Sequence, residues 1–119
     1  MNKDVCKVID DLVDRVYNTA KSKGWHDSPT TLVERLCLVH SELSEGLEEL
    51  RNGQDPTAVY FEHGGDNTKK PCGFPIEMAD VVIRVMDLCR YHGVDLRGAL
   101  AMKMDYNETR QWRHGGKKI

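Results

Sequence analysis

The stretch PIEMADVVIRVMDLCRYHG, residues 75 to 93, decides how the rest of the chain is read. Apolar residues fall at Ile76, Met78, Val81, Val82, Ile83, Val85, Met86, Leu88 and Cys89. At about 100° per residue they surround a helix on nearly every side. A helix that is apolar all round is expected to be buried. Yet the same stretch carries Glu77, Asp80, Arg84 and Asp87, and these share one face. Carboxylates are rarely buried unless they are paired or bind a metal. Two explanations follow. Either Arg84 neutralises Asp80 and Asp87, or Glu77 and Asp80 face further acids across a bundle, around cations.

Working outward, this helix is predicted over Pro75–His92, with Gly93 as its stop. Residues 53–74 before it have no sustained period and are rich in Gly, Pro, Asn and Asp. They read as a long loop without strands, either a surface insertion or a mobile lid over a substrate. Upstream, DSPTTLVERL signals a helix start. Ser28 can cap it with Pro29 at the first helical position, or Thr31 and Glu34 can form a capping box one turn on. Leu32, Leu36, Val39, Leu43, Leu47 and Leu50 form one apolar stripe, and that helix runs to about Asn52 before Gly53. A first helix spans about Lys3 to Lys23, with Val5, Val8, Ile9, Leu12, Val13, Val16 and Ala20 on one side and Gly24 as its end. Downstream, Asp95 caps a fourth helix, LRGALAMKMDYNETRQWR, that ends near Arg113. The expected fold is an all-α bundle of four helices, in one domain over residues 1–119.

Charge and composition exclude several classes. Hydrophobic residues make up 39% and charged residues 30%, as in ordinary globular proteins. A net charge of −2 gives no bulk field for nucleic acid, and the basic tail RQWRHGGKKI reads better as a solvated terminus. Cys6, Cys37, Cys72 and Cys89 form no C-x-x-C pair, so zinc and redox motifs are not expected. Free thiols fit a reducing cytoplasm, and neither a signal peptide nor a membrane span is read.

The second helix carries HSELSEGLEEL, residues 40 to 50, in which Glu42, Glu45 and Glu49 fall on one narrow face and Glu48 lies further round. Alone, that strip is an ordinary solvated face. Opposite Glu77 and Asp80 it takes on another meaning. Each like-charge pair at about 4 Å costs on the order of 1 to 4 kcal/mol, and a divalent cation removes that cost. Oxygen ligands without His or Cys suit magnesium, or manganese, which take phosphate oxygens as further ligands. The fourth helix offers a matching face, because Lys103, Asn107 and Arg110 follow i, i+4, i+7 spacing. Lys and Arg donate to phosphate oxygens.

The ordered series ELSE (Glu42, Glu45), GFPIEMADVVIR (Glu77, Asp80), KMDYNETR and RHGGK resembles the MazG-like nucleoside triphosphate pyrophosphohydrolases, from about Trp25 to Lys117. These are all-α enzymes related to the dimeric dUTPases. The resemblance implies magnesium on Glu42, Glu45, Glu77 and Asp80. It implies nucleotide contacts from Lys103, Asn107 and Arg110, with Tyr106 in support, and a homodimer or homotetramer. Many members begin the first motif with two adjacent glutamates, and Ser41 takes the first place here. The expected reaction cleaves a nucleoside triphosphate between its α- and β-phosphates, with Glu45 or Glu49 orienting the attacking water.

Two other readings compete. A carboxylate-bridged di-iron or di-manganese bundle needs E-x-x-H pairs, and the chain has none. A helical oligomer that binds nucleotide without turnover, or only a structural module, would leave Glu77 and Asp80 in need of another partner. Trp25, Tyr60, Phe61 and Phe74 are either packing residues or platforms for a base.

Overall fold

The structure, a computed structural model, describes residues 1–65, 68–110 and 112. It is mostly helical, with α1 (Lys3–Ser22), α2 (Leu32–Arg51), β1 (Tyr60–His63), β2 (Lys69–Cys72), α3 (Phe74–Tyr91) and α4 (Leu96–Thr109). No helix among the described residues is long and apolar enough to cross a membrane.

Local chemistry sets the helix ends. Asn2 caps α1 by accepting the Val5 N–H at 2.9 Å, and α1 gives way to Gly24 at φ +82°. α2 is capped by Thr31, not Ser28. The Thr31 hydroxyl oxygen accepts the Glu34 N–H at 3.1 Å and donates to the Glu34 carboxylate at 3.2 Å. Ser28 and Pro29 precede the helix. Asp95 caps α4 by accepting the Gly98 N–H at 3.0 Å. α4 ends at Thr109, because Arg110 turns extended with φ −69° and ψ 150°. The predicted end at Arg113 lies outside the described residues.

The reading of residues 53–74 as strandless is corrected. β1 and β2 pair antiparallel, with Tyr60 opposite Cys72, Phe61 opposite Pro71, Glu62 opposite Lys70 and His63 opposite Lys69. The Glu62–Lys70 and His63–Lys69 positions put polar side chains on an exposed ribbon, which is why no buried alternation marked it. At the root of the hairpin, Gly73 has φ +118°, and any side chain there would collide with the Ala58 carbonyl oxygen. Only glycine permits that approach.

α2 and α3 form the main packing, and the face that α2 turns inward is unexpected. Its buried residues are Arg35, Val39, Glu42 and Gly46. Of the leucine stripe only Val39 is buried, while Leu36, Leu43 and Leu47 are 49%, 45% and 55% exposed. α3 is likewise not enclosed in one chain: Val82 and Ile83 stay exposed, and only Asp87, Leu88 and Cys89 are buried. Val39, Leu88 and Cys89 make the core, with Val81, Val85 and Leu96 against it. Gly46 allows the close approach, since an added Cβ would lie 2.7 Å from the Met78 methyl carbon.

Asp87 is also corrected. It does not pair with Arg84. Its carboxylate meets His26 Nε2 at 2.9 and 3.1 Å and Arg35 Nη1 at 3.6 Å. The Arg35 guanidinium covers the Tyr91 ring at 4.1 Å. This network ties the α1–α2 connection to α3.

Candidate metal centre between the second and third helices

Three carboxylates converge where α2 crosses α3. Oxygen atoms of Glu42, Glu45 and Glu77 all lie within 4.8 Å of one another. Glu42 and Glu45 are one turn apart on α2, and Glu77 enters from the first turn of α3. Gly46 sets the spacing, for its missing side chain admits Glu77 Cβ to within 3.5 Å of the Cβ position. Glu42 is the deepest of the three, with a side chain only 8% exposed. Its Oε1 accepts Arg84 Nε at 2.6 Å. Its Oε2 and the Glu77 Oε2 are buried without a hydrogen-bond partner.

The electrostatics follow from this crowding. Burial, hydrogen bonding to Glu45 and Glu42, and the charges of Glu45 and Asp80 push Glu77 up to about 7. Burial also pushes Glu42 up, but the bonds from Arg84 and its carboxyl neighbours outweigh that and hold it below its usual value. Asp80 is raised by burial and by the Glu42 charge, against the pull of Arg84 and Lys70. It stands beside the trio, not within it. The cluster thus favours a proton or a cation in its middle. Two orphaned buried oxygens in an all-carboxylate set fit a hard divalent ion, because buried acceptors are otherwise satisfied.

The cavity beside the acids, about 390 Å³, is lined by Ser44, Glu45, Glu48, Glu49, Lys70 and Glu77. Glu49 is not free within it. Both its oxygens accept from the Tyr60 hydroxyl, at 2.8 and 3.0 Å. The same bond raises the Tyr60 hydroxyl to about 12. Glu49 therefore anchors the hairpin, and Glu45 and Glu48 are exposed carboxylates at the cavity edge, Glu48 paired with Arg51.

The remaining expected residues do not line this cavity. Trp25 is 54% exposed and sits 5.6 Å from the Arg84 guanidinium. It also borders an apolar groove of about 350 Å³ with Leu12, Val16, Ala20 and Ile83. Lys103 Nζ on α4 and the guanidinium of Arg110, just past its end, lie 4.8 and 5.5 Å from the Tyr106 ring. Asn107 is exposed on the same helix. None of these four lines the acid cavity of its own chain. Of the two partners weighed for Arg84, Asp80 feels its charge and Asp87 does not pair with it, while its ion pair is with Glu42. Lys70 and Gly46 carried no signal short of the fold, and Tyr60, read as a packing residue or a base platform, donates to Glu49 instead. No family model matches this chain, and no curated protein or solved structure gives a significant match.

Proposed function

We propose that the chain is a magnesium-dependent nucleoside triphosphate pyrophosphohydrolase of the MazG-like kind, with manganese as a possible substitute ion. The observation that carries this reading is the Glu42, Glu45 and Glu77 trio with its two orphaned oxygens. Glu42, Glu45 and Glu77 would hold the ion, with Asp80 beside them. Bound there, magnesium supplies neutralising charge for the acids and for the phosphate oxygens of the nucleotide. Arg84 keeps Glu42 oriented. Glu45, exposed at the cavity edge, orients a water and takes its proton as the α-phosphorus is attacked. Trp25 offers a face on which a base can stack. In the ion's presence the protein should melt at a higher temperature, because a ligand that binds only the folded state stabilises it. A melting temperature indifferent to magnesium and manganese would remove the metal assignment.

In this reading the protein works as a dimer or tetramer. The support is the leucine face of α2 and the exposed Val82 and Ile83 of α3, which one chain leaves in water. An apolar stripe of that length is a contact surface in waiting. Lys103, Tyr106, Asn107 and Arg110 would then meet the nucleotide's phosphates or sugar in the assembled oligomer. A variant with both Leu43→Glu and Leu47→Glu is expected to sediment at a lower mass than the wild type and to melt earlier. A wild type that sediments as a single chain at micromolar concentration would contradict the assembly.

A further inference from the structure

β2 brings a lysine to the acid-lined cavity. Among the described residues that border it, Lys70 is the one cation. Its ammonium group is in no ion pair with any described residue. The backbone fixes its position. Lys70 lies opposite Glu62 in the hairpin, and Tyr60 ties that hairpin to Glu49 on α2. Gly73 holds the other root against Ala58. Behind the same cavity edge, Glu42 is 8% exposed and keeps an unpartnered buried oxygen beside Glu45 and Glu77.

The site has two distinct ends. Trp25, Arg84 and Glu42 form one, joined by the 5.6 Å ring contact and the 2.6 Å ion pair. Glu49, Tyr60 and Lys70 form the other. Between Glu42 and Glu49 the helix axis advances about 10 Å. A nucleotide with its base at Trp25 and its phosphates along the acids would place the outer phosphates at the hairpin.

We propose that Lys70 binds the two outer phosphates of the nucleotide and hence the pyrophosphate leaving group, an inference that rests on the pyrophosphohydrolase reading. In that reaction a water oxygen bonds to the α-phosphorus and its proton passes to Glu45. The bond from the α-phosphorus to the bridging oxygen breaks, and pyrophosphate leaves with the electron pair. Lys70 offsets the charge that develops there. An ammonium group suits this task, because it is a compact charge with three donors and no fixed fork geometry.

The test uses inorganic pyrophosphate with magnesium, titrated calorimetrically into wild type, Lys70→Ala and Lys70→Arg. Lys70→Ala should bind pyrophosphate about ten- to a hundredfold more weakly, the range for a hydrogen bond to a charged group. Lys70→Arg should recover most of that loss. Manganese alone should bind Lys70→Ala at least as tightly as wild type, which separates a lost phosphate contact from a damaged site. Pyrophosphate binding equal in Lys70→Ala and wild type overturns the proposal and leaves the pyrophosphohydrolase reading standing. A wild type that binds neither manganese nor pyrophosphate overturns both.

Discussion

Glu77→Gln is expected to lose magnesium-dependent turnover by at least about a hundredfold, the scale on which a charge-stabilising group acts, and yet to fold well. The two effects have one cause. Glu77 is crowded by Glu45, Glu42 and Asp80, and its carboxyl is pushed up to about 7. A group whose pKa is raised on folding adds stability below its unfolded value, and that stability is lost as pH rises through the folded value. The window here runs from the ordinary 4.5 to about 7. Asp80, also raised, acts in the same direction. Metal-free wild type should therefore melt lower at pH 8 than at pH 5.5, and magnesium should restore much of the difference. Gln is neutral at every pH and keeps the shape of the protonated acid. Metal-free Glu77→Gln should melt higher than wild type at pH 8 and close to it at pH 5. Turnover retained in this variant, or a lower melting point at pH 8, would show that the acids do not gather for an ion.

Arg84→Gln should damage the metal-free fold. Arg84 Nε holds Glu42 Oε1 at 2.6 Å, and the Glu42 side chain is 8% exposed against 28% for Arg84. Removing one partner of a buried pair leaves the other charge without compensation. The partial exposure of Arg84 moderates this to roughly 2–4 kcal/mol in urea unfolding, somewhat below the range for fully buried pairs. Magnesium should then narrow the gap between variant and wild type, because the ion replaces the missing positive charge beside Glu42. The variant should also bind magnesium more tightly than wild type, since the competing guanidinium is gone. A gap that magnesium leaves unchanged would mean that Arg84 and the ion do not share Glu42.

Much of the helical frame was legible because the signals were local. Gly24, Gly53 and Gly93 all follow helix ends in positive φ, where only glycine is unstrained. Asp95 caps its helix as read. The meeting of Glu42 and Glu45 with Glu77 was legible as well, since carboxylates recur at one-turn spacing on helices adjacent in sequence. Which side of α2 faces inward was not legible. The leucine stripe and the Arg35, Val39, Glu42 and Gly46 stripe both have helical spacing, and periodicity does not name the partner that covers each. The hairpin escaped notice because each strand has only four residues and Pro71 interrupts the second. The roles of Tyr60 and Lys70 depend on that hairpin folding back on α2, a contact between residues distant in sequence that no local pattern encodes.

The measurement closest to the central claim is pyrophosphate release by the purified protein over a panel of nucleoside triphosphates, with and without magnesium. The account predicts equal amounts of nucleoside monophosphate and pyrophosphate, formed only when magnesium or manganese is present. Release of orthophosphate would put the cleavage point elsewhere. No turnover on any member of the panel, from folded protein shown to hold the metal, would contradict the enzyme and leave a nucleotide-binding helical oligomer.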